Sequence, residues 1–97
     1  MTVDDAATAI IRVLEDLQRN SGRACAALTR TTTPLGDLDG FDSYSAIEAT
    51  VMIETALDCN FKTDNVLAQD TPEGRRALTI GEAAQQVVKL AEPKAAR

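Results

Sequence analysis

The chain has no histidine and no tryptophan among its 97 residues, and only one tyrosine and two phenylalanines. Without histidine there is no Ser-His or Cys-His arrangement for nucleophilic catalysis, and no zinc site built from both Cys and His. With so few aromatics the core has to be aliphatic, drawn from Ala, Val, Ile and Leu. Three prolines and five glycines interrupt it little. That balance favours a small helical bundle over a sheet, which wants β-branched and aromatic residues in alternation. A chain of this length makes one domain, near the size at which a single core only just suffices.

Other absences narrow the function. No apolar run approaches the roughly 18 residues of a membrane helix, so no membrane span is expected. The start, "MTVDDAATAI", is acidic where a secretory signal is basic, so a cytoplasmic location is expected. Cys25 and Cys59 stand far apart, and two lone buried thiols are expected rather than a disulfide. Most telling is the absence of any Lys or Arg between Thr31 and Phe61, a segment holding Asp37, Asp39, Asp42, Glu48, Glu54 and Asp58. The net charge of −5 therefore lies in one central stretch. Such a field repels nucleic acid and attracts positively charged protein surfaces, although a merely solubilising acidic face has the same composition.

What is present reads mainly as helix. Thr2 and Asp5 offer a cap and a first-turn acid, and Val3, Ala7, Ile10, Leu14 and Leu17 form one helical face. Asn20-Ser21-Gly22 stops it. A long connection from about Arg19 to Asp42 follows. In it Cys25, Ala26, Ala27 and Leu28 are expected as a short apolar turn against the core, with Leu35, Leu38 and Phe41 pinning the remainder. A second long helix is predicted over about Ser43–Leu57. It has a core stripe of Ala46, Thr50, Ile53 and Leu57, and a neighbouring stripe of Tyr44, Ile47 and Val51 interleaved with Glu48 and Glu54. That second stripe is either the charged border of a wide core or a contact surface. Asp64 is expected to cap a brief third helix through Leu67 and Ala68, followed by "TPEGRRAL" as an inserted loop or single helical turn. Thr79 and Glu82 form a capping box for the last helix, ended by Pro93. The expected fold is thus all-α, a small four-helix bundle of three long helices plus a short third one. It forms a single domain over 1–97, ordered over about 2–92 with a frayed tail at 93–97.

The stretch "GFDSYSAIE", 40–48, sets three hydroxyls beside acids at a helix start. Ser45 and Glu48 make one capping box, while Asp42 or Ser43 caps a helix starting a turn earlier. If Asp42 is the cap, Ser43 falls in the first turn with its hydroxyl free. "GFDSYSAIEATVMIE", Phe61 and the "LTIGEA" start of the final helix together resemble the acyl carrier protein family, over nearly the whole chain from Ile10 to Leu90. The family's Asp-Ser motif falls on Asp42-Ser43.

The resemblance implies that Ser43 carries 4′-phosphopantetheine, transferred from coenzyme A by a separate phosphopantetheinyl transferase, with Asp42 helping to orient that enzyme and its magnesium ion. The protein would be a carrier and not an enzyme, with no metal site of its own and no nucleic-acid partner. Tyr44, Ile47, Glu48, Val51 and Glu54 would dock on basic patches of synthases, ligases or acyltransferases, the carrier itself being a monomer. Two departures stand out: Tyr44 replaces the usual Leu after the serine, and extra residues lie between Phe61 and Thr79. They favour a dedicated lipid or polyketide-like pathway over housekeeping fatty-acid synthesis. Two alternatives remain: an unmodified helical interaction module of the same fold, and a peptidyl carrier, whose usual Gly-Gly/His-Ser context is not matched.

Overall fold

The helix signals are met where capping and apolar spacing agree. In the computed structural model, which describes residues 1–93, α1 spans Val3–Asn20. The Thr2 hydroxyl accepts from the Asp5 N–H, and the Asp5 carboxylate accepts from the Thr2 N–H, each at 3.1 Å. Two otherwise unpaired donors are satisfied reciprocally. Its buried face carries Ala6, Ala7, Ile10, Val13, Leu14 and Leu17. After a single turn α2, Pro34–Asp37, the helix α3 runs over Ser43–Leu57 and buries Ala46, Ala49, Thr50 and Ile53. It ends at Asp58, whose φ of 52° turns the chain out of the helix. The last helix, α4 at Ile80–Leu90, starts from the expected Thr79–Glu82 capping box.

α1 is the central element, packed against both α3 and α4. Ile10, Leu14, Ile53, Leu67, Ile80 and Val87 are fully enclosed between them. The aliphatic core expected from composition is therefore present, and Leu38 and Phe41 join it from the long connection.

The molecule is not an all-α bundle. Among the described residues four short strands form two antiparallel pairs: β1 at Cys59–Asn60 with β4 at Glu92–Pro93, and β2 at Ala68–Thr71 with β3 at Gly74–Ala77. The brief third helix does not form: the segment follows an irregular path in which side chains accept from its backbone donors, and the Leu67 carbonyl accepts from the Leu78 N–H at 3.0 Å. Thr63 Oγ1 accepts from the Asn65 N–H, Asn65 Oδ1 from the Leu67 N–H at 2.9 Å, and Thr50 Oγ1 from the Val66 N–H at 3.0 Å. Val66 and Leu67 are buried in this irregular path. The "TPEGRRAL" segment is a hairpin instead of a helical turn. Pro72 fixes the first corner and Gly74, at φ +124°, closes it. Asp70 and Arg75, opposite each other, pair at 3.1 Å.

Three further expectations are corrected. Cys25, Ala26 and Ala27 are exposed and Leu28 only half-buried, so that stretch is no apolar turn. Polar ties hold the loop: the Arg23 N–H to the Gln18 carbonyl, and the Ile80 and Gly81 N–H groups to the carbonyls of Thr32 and Arg30. Neither cysteine forms a disulfide, and of the two only Cys59 is buried. Pro93 pairs in β4 instead of fraying, and the remainder of the tail, 94–97, lies outside the described residues. No helix among the described residues is long and apolar enough to cross a membrane.

Candidate functional site

The start of α3 resolves the ambiguity among its three hydroxyl-bearing residues. Asp42 is the cap: its backbone is extended, at φ −116° and ψ −171°, and its Oδ1 accepts from the Ser45 N–H at 3.0 Å. Ser45 therefore sits one turn inside the helix, 7% exposed, and the Ser45–Glu48 box is not used. Ser43 is the first helical residue and faces solvent. The cap bond holds the Asp42 carboxyl below the usual carboxylate range, with smaller help from the Ser45 hydroxyl and the charge of Arg23. An ionised acid thus stands directly before an exposed hydroxyl at the positive end of a helix.

The outer stripe of α3 is open. Tyr44 is 83% exposed, Val51 57% and Ile47 38%, and Glu48 lies exposed among them. The spacing of three and four puts these side chains on one face. Glu54 departs from this set. It is half-buried, and its carboxylate accepts from the Phe61 N–H at 2.8 Å, which ties the end of α3 to the segment after β1. Its charge has a structural use in addition to any contact with a partner.

Two residues at the site escaped sequence reasoning. Gln18 is fully buried, and its Nε2 donates to the carbonyls of Ala24 and Asp39, at 3.3 and 2.8 Å, which fastens the turn before α3 to the end of α1. Its Oε1 has no partner. The signal was a polar side chain four residues after Leu14, on the apolar face of α1. Arg23 reaches the same turn, donating to the Gly40 carbonyl, and nothing local in the sequence marks it.

No set of three or more His, Cys, Asp or Glu residues among the described residues is placed to hold a metal ion. A groove of about 350 Å³ runs between the hairpin and α4, lined by Gln69, Arg76, Leu78, Glu82, Gln86 and Leu90 among others. Polar and apolar groups contribute about equally to that lining. Comparisons of the chain with protein-family models, with curated proteins and with solved structures found no match to any of them.

Proposed function

We propose that the protein is an acyl carrier that holds intermediates as thioesters on a 4′-phosphopantetheine arm attached to Ser43. The observation that carries this reading is the division of labour at 42–45. Asp42 is occupied as the cap, Ser45 is buried, and of the two serines at the helix start it is Ser43 that presents its hydroxyl to solvent. A phosphodiester formed there meets unpaired N–H groups and the positive end of the helix dipole.

The exposed face of Tyr44, Ile47, Glu48 and Val51 supports the same reading. Apolar side chains beside an acid suit brief, salt-sensitive docking on basic enzyme surfaces, since each exposed ion pair contributes only about 0–1 kcal/mol. In this reading the chemistry belongs to the transferases, synthases and acyltransferases that visit the domain. Tyr44 after the serine and the extra residues between Phe61 and Thr79 are the grounds for placing it in a dedicated lipid or polyketide-like pathway.

The test is incubation with coenzyme A, magnesium and a broad-specificity phosphopantetheinyl transferase, followed by intact-mass measurement. The mass should rise by one phosphopantetheine group in wild type and in Ser45→Ala, and stay unchanged in Ser43→Ala. Modification at Ser45, or none with several transferases, would refute the carrier. The exposed Tyr44-to-Val51 face would then favour an unmodified interaction module.

A further inference from the structure

The exposed serine is presented by a turn, and one cation seats that turn. Arg23 lies beyond the end of α1, where its N–H donates to the Gln18 carbonyl at 2.9 Å. Its half-buried side chain crosses to the Gly40–Asp42 turn before α3. Nη1 donates to the Gly40 carbonyl and lies 3.5 Å from the Ser45 hydroxyl. Gly40 is shaped for this contact. Its φ of +67° is a backbone that favours glycine, and a Cβ there would meet Arg23 Cδ at 2.5 Å.

The chain's charge distribution makes this arginine singular. No Lys or Arg occurs between Thr31 and Phe61, so the turn and α3 contribute no cation of their own. Asp42 stands immediately before Ser43. A second negative charge on Ser43 would face that carboxylate, and Arg23 offsets part of the repulsion from a half-buried position where screening is weaker.

We propose that Arg23 is a positioning residue for modification of Ser43, acting by pinning the Gly40 carbonyl and holding the Asp42–Ser43 corner in one geometry. This rests on the carrier reading. In the reaction the Ser43 oxygen attacks the phosphorus of coenzyme A that bears the pantetheine, and a new O–P bond forms. The bond to the other phosphate breaks, that phosphate leaves on the adenosine nucleotide, and the serine proton is released to the transferase. Arg23 touches none of the reacting atoms. It fixes the direction in which the Ser43 oxygen enters the transferase, while the outer face of α3 provides the docking.

Position and docking separate kinetically. Loss of a fixed attack geometry lowers kcat, whereas loss of docking raises KM for the carrier. With wild type first shown to be modified by intact mass, Arg23→Gln should lower kcat about tenfold and leave the carrier's KM within about twofold. Glu48→Lys should do the reverse. Arg23→Lys keeps a cation with N–H donors but loses the planar guanidinium, and should fall between wild type and Arg23→Gln. Circular dichroism establishes folding in each case. If Arg23→Gln does not fold, Arg23→Lys decides: a lowered kcat with unchanged KM supports the proposal. An unchanged kcat in the folded variants, or a raised KM alone, overturns it while leaving the carrier reading intact. Failure of wild type to be modified at all removes both.

Discussion

Thr50 offers the sharpest test of how the irregular segment after α3 is attached. Its side chain is buried, and its hydroxyl donates to the Ala46 carbonyl at 2.8 Å and accepts from the Val66 N–H at 3.0 Å. Thr50→Val keeps the shape and removes the oxygen. The Ala46 carbonyl stays within the hydrogen-bond ladder of α3, but the Val66 N–H is left buried without an acceptor. Stranding such a donor costs about 1–3 kcal/mol. Thr50→Ser keeps the hydroxyl and loses one methyl, worth about 0.8 kcal/mol. Urea unfolding should therefore rank wild type above Thr50→Ser and Thr50→Ser above Thr50→Val. In a domain this small each kcal/mol lowers Tm by about 4–8 °C. Amide exchange supplies a local reading, since Val66 should lose protection in Thr50→Val and keep it in Thr50→Ser. A Thr50→Val protein as stable as Thr50→Ser, with Val66 still protected, would refute the hydroxyl bridge.

Ile53→Ala and Leu14→Ala, at fully buried positions, should each cost about 2–5 kcal/mol in urea titrations. Glu48→Lys should leave the melting temperature unchanged, whereas Glu54→Lys should lower it, because the Phe61 N–H loses its acceptor. Asp42 and Glu82 both have depressed folded-state pKa values. The causes are the Ser45 N–H for Asp42 and, for Glu82, the Thr79 N–H followed by Arg76. Their contribution is complete above the unfolded carboxylate pKa and is lost as pH falls below about 4. Acid unfolding should accordingly shift less steeply in an Asp42→Asn, Glu82→Gln protein. A maleimide should label Cys25 in the native state and reach Cys59 only after unfolding.

The three long helices were legible because each announces itself locally. Thr2 with Asp5, Asp42 before Ser43, and Thr79 with Glu82 are caps within four residues of the groups they serve. The buried stripe through Ala46, Thr50 and Ile53 follows from spacing alone. The stretch from Thr63 to Ala77 was misread because its determinants are distant or double-valued. Val66 is fixed by Thr50, sixteen residues upstream. Pro72 suits both the first turn of a helix and the corner of a hairpin, and the pairing of Asp70 with Arg75 becomes evident only once the strands are opposed. β1 and β4 join residues more than thirty positions apart, and no local pattern records that. Arg23 and Gln18 belong to the same class, as side chains whose role is set by a turn about twenty residues away.

The distribution of exposed apolar surface bears on function independently of any resemblance. Among the described residues four large hydrophobic side chains are exposed, Met1, Tyr44, Ile47 and Val51, and three of them share one face of α3. Scattered exposed apolar residues are ordinary, but a concentrated patch with a charged border marks a contact site. α3 spends its other face on α1, so the patch is not left over from a core that failed to close. The same helix places Ser43 at its open end, on the first turn, beside Tyr44. A partner seated on Tyr44, Ile47 and Val51 would therefore meet the Ser43 hydroxyl without any rearrangement of the fold. An exposed serine hydroxyl with an apolar face adjoining it is the arrangement that the carrier proposal requires.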